Sequence, residues 1–515
     1  MSNSLGVFSA DSQHDLRQHN SRQHNLRRLF VAGLLFWGSM SMLLPTLPLY
    51  LNDRGGNLQE VGLVIGAFAI GLLCFRPWLG KAADDQGRKP VLLVALGVAA
   101  TAPVGYLVMK SLPLLIAWRT YHGLAVAGFT IAYLAWVVDL VPPSQRGEII
   151  GYMTLVNPLG LAIGPAIGGF LLEARGFPFL FCSASLLGTI GFCLASTVQE
   201  ECPYPLSVRH SAEDSMDNGR GETIENTPLK PKHKVKPKVN PKVKPKAQKL
   251  KRSWRWLRLF LLPLGGQVLG FMLLLGSVPI LVESLGLSAY LVWFFLPFYG
   301  LSAILGLNLH PGSLLWRPGI RVIPLSLLFL GLSFGTVTTF IALFIKTIGF
   351  DLNPGWFYTI AAIASFSARL IVGRYSDRYG RGVFLSLSFL LYTLAMVQLA
   401  QAKTIVAILA AAAFEGAGFG ILIAMVAALV ADRCAESERG QVFSICFAGL
   451  DVGIATAGPL LGYWVDRQGY PATFQLAALL AALALLIFLL SSNKTLRSSL
   501  RFSLGLGPDD YAHSK

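Results

Sequence analysis

The 515 residues are 54% hydrophobic and only 14% charged, which is far too apolar for a soluble chain of this length. The formal charge of +16 would point to nucleic acid if it were spread over a surface. Thirteen basic side chains and no acid fall within residues 230–258, leaving a net of +3 elsewhere, so the basicity belongs to one linker and no nucleic-acid partner is expected.

Apolar runs of roughly 20 residues, the length that crosses a hydrocarbon core about 30 Å thick, recur along most of the chain. They lack the alternation of a membrane β-barrel, so the fold class is an all-α polytopic membrane protein. Residues 1–28 are polar and carry a small repeat, Arg17-Gln18-His19-Asn20 and Arg22-Gln23-His24-Asn25, read as a flexible cytoplasmic tail. Arg27 and Arg28 then precede the first apolar run directly, which favours a cytoplasmic N-terminus. Because that run starts near Leu29 and is long enough to span, no cleavable signal peptide is expected.

Six spans are expected within 29–197, at 29–51, 57–80, 90–109, 112–138, 148–172 and 177–197. Between the second and third lies the charged turn Gly80-Lys81-Ala82-Ala83-Asp84-Asp85-Gln86-Gly87-Arg88-Lys89, and Gly373 through Arg381 repeats it 293 residues later. Gly80, Asp84, Gly87 and Arg88 become Gly373, Asp377, Gly380 and Arg381 under that offset, and Arg76 becomes Arg369. Asp139 and Arg146 likewise map onto Asp432 and Arg439. The same offset predicts six more spans in 322–491, so the chain is two copies of one unit. Parallel six-helix bundles related by pseudo-two-fold symmetry about the membrane normal are a known way to build a transporter.

The copies are separated by a polar stretch and a run of alternating lysine and proline, together 198–257. Proline forbids helix and like charges repel, so an extended, disordered cytoplasmic tether is expected, with weak adsorption to anionic lipid or simple solvation as its two readings. Residues 258–308 hold two further apolar runs with no partner in the first copy. Two extra central transmembrane helices preserve the parity and bring the expected total to fourteen; a re-entrant hairpin is the alternative, since Pro263, Pro279 and Pro297 interrupt the runs. Residues 492–515 would be a cytoplasmic tail. Basic residues are more frequent in the loops assigned to the cytoplasm, which places both ends inside a plasma (inner) membrane.

The six cysteines show no CxxC spacing and read as packing residues, so neither metal nor disulfide is expected. No P-loop, nucleophile–base pair or metal-ligand spacing is visible, which argues against an enzyme, an ATP-driven pump or a cofactor.

The repeated turn resembles the signature between the second and third helices of the major facilitator superfamily, G-x-x-x-D-x-x-G-R-[KR], with Asp85 standing where that family usually carries a base. The likeness covers both halves. It implies that Gly80, Asp84, Gly87, Arg88, Asp139 and Arg146, with their twins Gly373, Asp377, Gly380, Arg381, Asp432 and Arg439, form a conformational latch. Topogenic charge alone is the plainer reading of the same residues. The block Gly160, Gly164, Pro165, Gly168, Gly169 in the fifth span resembles G-x-x-x-G-P-x-x-G-G of antiporters, although small residues at this spacing also serve any tight helix interface. Arg119-Thr120-Tyr121-His122-Gly123 is similar to an R-x-x-Q-G pattern of proton-coupled exporters, with His122 in place of glutamine.

Charged groups inside spans are functional candidates by default. Arg119, His122, Glu415 and Asp451 are therefore candidates for substrate or proton coupling, and Glu415 is the twin of His122. Pro45, Pro48, Tyr50, Trp37, Phe68, Tyr133, Trp136 and Phe414 are weaker candidates for lining a cavity, and Arg76 and Arg369 are expected to brace the cytoplasmic gate. The expected function is a monomeric secondary transporter exporting a small amphipathic molecule against protons by alternating access. Proton symport of a polar metabolite and a non-transporting membrane scaffold are the alternatives.

Overall fold

The computed structural model describes residues 5–141, 146–198, 317–435 and 438–512; for 5–21, 77, 84, 146–148, 373, 374, 377 and 439–441 the description extends to the backbone alone. Most of the expected tether, the two extra spans in 258–308 and Cys202 lie outside the described residues. The described residues contain helices and turns and no strand.

In the first half the helices are α1 (Leu5–Asp53), α2 (Leu58–Gln86), α3 (Arg88–Val108), α4 (Leu112–Leu140), α5 (Arg146–Met153) and α6 (Val156–Ser196). The second half holds α7 (Pro318–Ile348), α8 (Gly355–Tyr379), α9 (Arg381–Ala400), α10 (Ile405–Arg433), α11 (Arg439–Ser491) and the short α12 (Leu496–Ser503). Ten helices among the described residues are long and apolar enough to cross a membrane. Two of them, α6 and α11, run 41 and 53 residues, twice what one crossing needs. Each is broken by a glycine, Gly176 (φ 78°) in α6 and Gly469 (φ 77°) in α11, with Pro178 and Pro471 two residues on. Each half therefore supplies six crossings.

The break reverses the chain. On the first arm of α6, Gly160 packs on Trp37 and Gly168 on Met42, so that arm runs parallel to α1. On the second arm, Phe177 and Phe181 meet Tyr50, whereas Gly191 lies beside Ala32, so that arm returns antiparallel. In α11, Gly449 packs on Pro324 and Gly453 on Leu328, then Tyr470 and Phe474 meet Phe344, which repeats the arrangement on α7.

The joints between α2 and α3 and between α8 and α9 are single residues. Gly87 adopts φ 100° and Gly380 φ 86°, a region closed to side chains, so each signature turn needs glycine there. At the opposite end, Asn57 and Glu60 form a reciprocal cap on α2: Asn57 Oδ1 accepts from the Glu60 amide at 2.8 Å and Glu60 Oε2 from the Asn57 amide at 3.0 Å. Inside the first bundle Phe36, Phe129 and Tyr133 stack in series at 3.9 and 4.7 Å. Since lipid is as apolar as leucine, such close packing rather than hydrophobicity holds neighbouring helices together.

Of the two stretches expected as cytoplasmic tails, the first was expected to be flexible, and the described parts of both are folded. Helix α1 continues through the polar N-terminal stretch back to Leu5, with Asn25 buried and the Arg28 guanidinium donating to the Thr197 carbonyl. Residues 492–512 fold back onto the second bundle, held by Arg433, whose side chain is 1% exposed.

Candidate functional site

Both bundles belong to one compact unit, and they meet along two symmetry-related seams. One joins α2 to the first arm of α11. Gly62 and Gly458 touch backbone to backbone, Gly66 faces the Ala455 carbonyl, and Gly462 lies over Leu58 and Gln59. The other joins α8 to the first arm of α6: Gly355 sits on the Pro165 carbonyl, Gly169 on the Asn353 side chain, and Thr359 Oγ1 donates to the Ala162 carbonyl at 2.7 Å. The antiporter-like block thus has two faces. Gly160, Gly164 and Gly168 admit α1, with Ser41 Oγ donating to the Gly160 carbonyl at 2.7 Å, while Pro165 and Gly169 meet the other bundle.

Among the described residues, two polar contacts cross between the bundles at the ends opposite the Gly87 and Gly380 turns. Lys346 Nζ pairs with Asp53 Oδ1 at 2.7 Å, and the Gln59 amide donates to Asp466 Oδ2 at 3.2 Å. Deeper in, Arg76 Nη1 donates to Asp451 Oδ2 at 3.1 Å. Arg76 and Asp451 were expected in separate roles, as a gate brace and a coupling candidate. They form one ion pair between bundles, at side-chain exposures of only 28% and 13%. Arg369, the twin of Arg76, has its Nε buried without a hydrogen-bond partner.

Among the described latch residues, two matched pairs lie within the bundles. Arg88 Nε lies 3.6 Å from Asp139 Oδ2, and its twin Arg381 Nε lies 3.2 Å from Asp432 Oδ2, with Arg381 Nη1 also donating to Ser376 Oγ. All four side chains are between 22% and 40% exposed, so solvent screens each pair and each contributes about 0–1 kcal/mol. Gly80 needs no smallness, because a Cβ there would meet nothing within 4 Å. Gly373 is described by its backbone alone, within α8, and the side chains of Asp84, Asp377, Arg146 and Arg439 lie outside the description.

The two titratable twins each meet a tyrosine of the third helix in their own bundle. On α4, His122 Nδ1 is 3.0 Å from the Tyr106 hydroxyl and 3.1 Å from Arg119 Nη1. A guanidinium has only donors, so Nδ1 accepts and the ring proton sits on Nε2. Arg119 also lies over the Phe68 ring, 4.4 Å from its centroid. On α10, Glu415 Oε1 accepts from the Tyr392 hydroxyl at 3.0 Å. Arg119, His122 and Glu415 are all buried, and no basic side chain pairs with Glu415 among the described residues. At 1.5 Å per residue, His122 and Glu415 sit about 15 Å from the starts of their helices, half-way across a hydrocarbon core.

Sequence reasoning missed the tyrosines because the duplication does not relate them: Tyr106 maps onto Leu399, and Tyr392 onto Ala99. Of the aromatic candidates for a cavity wall, Phe68 supports Arg119, Tyr133 donates to the Met153 carbonyl inside the bundle, Trp136 is buried, and Phe414 is exposed.

Comparison with known proteins agrees with this architecture. The NorA quinolone resistance protein of Staphylococcus aureus is 29% identical over 163 residues, 32% of this chain and 41% of NorA. The class G tetracycline resistance protein of Vibrio anguillarum is 34% identical over 210 residues, 39% of this chain and 48% of that protein. The chain therefore matches less than half the length of these curated relatives. Among solved structures, a mutant of the nucleoside transporter NupG superposes with a TM-score of 0.62 at 12% identity, covering 90% of this chain and 98% of that one. A peptide transporter POT in complex with sulfate gives 0.59 at 13%, covering 90% and 93%; these likenesses speak for the fold alone. The sequence model of the Major Facilitator Superfamily matches residues 29–337 and 323–504, and with its duplicated six-helix bundles this multi-pass membrane protein belongs to that superfamily.

Proposed function

We propose that the chain is a secondary transporter that exports a small amphipathic molecule in exchange for protons, its bundles rocking about a site near mid-membrane. The observation that carries the reading is Glu415: a carboxyl buried at half-depth with a neutral hydroxyl as its hydrogen-bond partner. An isolated buried charge is costly, and a carboxyl that takes up and gives back a proton during the cycle relieves that cost in one of the two states. The names of the relatives, resistance proteins for quinolone and tetracycline, support export of amphipathic compounds.

Orientation follows from charge. The turns at Gly87 and Gly380 carry Lys81, Arg88, Lys89, Arg374, Arg378 and Arg381, so they face the cytoplasm of a plasma membrane with both termini inside. The ends joined by Lys346 and Asp53 then face outward, and the bundles are closed on that side. Arg76 with Asp451 is the deepest link that must open for the outward-facing state. Arg119 and His122 form a fixed polar brace in the first bundle, and Glu415 is the proton carrier in the second.

The test is transport in everted vesicles loaded with a pH gradient. Uptake into the everted lumen, the direction that corresponds to export, is expected to collapse with the gradient and to be lost in Glu415→Gln. Gradient-driven uptake into the everted vesicles that persists in Glu415→Gln removes the carrier role, and gradient-driven accumulation in whole cells reverses the direction.

A further inference from the structure

The last crossing ends at Ser491, and the chain enters α12 within five residues. Thr495 caps the new helix, its Oγ1 accepting from the Ser498 amide at 3.2 Å and Ser498 Oγ from the Thr495 amide at 3.1 Å. The segment beyond α12 is anchored from both sides. Asn493 Nδ2 donates to the Pro508 carbonyl at 3.1 Å, and its Oδ1 accepts from the Asp510 amide at 2.9 Å. Arg433, at the end of α10, grips Asp509 bidentately at 2.8 and 3.0 Å and donates to the carbonyls of Gly319 and Ser492. Its guanidinium lies within 5.3 Å of the Phe502 ring and 5.4 Å of Tyr511. The helix cannot roll, so the face it presents outward is fixed.

Its inward face is Ser499, Phe502 and Ser503, all buried, with Phe502 against Gly382 and Phe488. Its outward face is apolar. Leu496 and Leu500 on the helix and Leu504 at its C-cap, four residues apart, are 58%, 37% and 56% exposed, and Arg497 and Arg501 run alongside them, exposed as well. No acid lies between Ser492 and Pro508, and of the two acids beyond Pro508, Asp509 is turned in to Arg433. A leucine stripe flanked by arginines, fixed beside the end of a membrane span, suits the boundary between acyl chains and headgroups.

We propose that α12 binds the anionic surface of the leaflet at the end of the molecule that bears the Gly87 and Gly380 turns, its leucines seated in the acyl boundary and its two guanidiniums on lipid phosphates. Arginine matches a phosphate with paired donors, and attraction to an anionic leaflet falls off within a Debye length, so only residues held at the surface feel it. The inference rests on the membrane-spanning fold and is independent of what the protein transports.

Hydrogen–deuterium exchange of the full-length chain in lipid nanodiscs tests it. The amides of residues 496–506 are compared in phosphatidylcholine alone and in phosphatidylcholine mixed with phosphatidylglycerol. Two arginines at the surface are expected to slow exchange roughly thirtyfold in the anionic discs, at about fivefold each. Arg497→Gln together with Arg501→Gln should abolish the difference between lipids while exchange at 509–512, where Arg433 holds the chain, stays as it was. Equal exchange of the unmodified chain in both lipids overturns the proposal, as does a lipid effect that survives in the double variant. Should the double variant lose protection in both lipids, the comparison on the unmodified chain decides alone.

Discussion

Asp53 and Lys346 occupy the same position of the duplicated unit, 293 residues apart, and they pair with each other across the seam. Equivalent residues of two related bundles can meet only at the axis that relates them. The acid in one copy and the base in the other therefore mark where the pseudo-two-fold axis leaves the molecule. Because the side chains are 41% and 56% exposed, the pair contributes little to folding, about 0–1 kcal/mol.

The expected consequence is kinetic. Asp53→Lys places two lysines at the axis and should favour opening at that end, changing the transport rate about two- to fivefold. Adding Lys346→Asp restores the attraction with the charges exchanged, and the rate should return toward the original. A double variant no better than the single one removes the pair from the cycle.

Arg76 and Asp451 make the more consequential link, since both are less exposed and hydrogen-bonded. Hydrogen bonds to charged groups contribute about 1.5–3 kcal/mol, so Arg76→Ala and Asp451→Ala should each lower thermal stability measurably. In a double-mutant cycle on the detergent-solubilised protein, the two effects should fall short of additivity by at least about 1 kcal/mol. Additive losses would mean that the two residues act separately.

The signature turn separates two glycines that look alike in the sequence. Gly87 holds φ 100°, and Gly87→Ala should cost about 1–3 kcal/mol from backbone strain. At Gly80 an added Cβ meets nothing within 4 Å, so Gly80→Ala should stay within about 0.5 kcal/mol and leave transport unchanged. Expression level and melting temperature of the two variants, measured side by side, check both statements; a damaging Gly80→Ala contradicts the open space around it.

The duplication was legible because it is written in residue identity: glycine, aspartate and arginine recur at one offset, and the positive φ angles of Gly87 and Gly380 obey it. The second such pair, Gly176 and Gly469, also obeys it, although at the sequence level these glycines only separated two apolar runs. Partners were not legible. Arg76 and Asp451 lie 375 residues apart and on different bundles, and nothing in either local pattern points to the other. The tyrosines at His122 and Glu415 escaped for a related reason: a phenol can reach the same point from different turns of a neighbouring helix, so the contact is repeated while its register is not. The folded C-terminal tail was hidden because Arg433 and Asp509 lie 76 residues apart and neither local pattern points to the other.

The same comparison distinguishes the two twins. His122 accepts a hydrogen bond from Arg119 and supplies a place for a buried guanidinium; Glu415 has no such cationic neighbour among the described residues. His122→Gln retains an acceptor for Arg119, so it should fold and keep pH-dependent transport within a few-fold of the original rate. His122→Leu removes the acceptor, leaving Arg119 Nη1 only its 3.4 Å contact with the Tyr106 hydroxyl, and should cost about 1.5–3 kcal/mol of stability. Melting temperatures and transport rates across a pH series separate these outcomes. If His122→Gln flattened the pH profile while Glu415→Gln preserved it, the proton would travel through the first bundle instead of the second.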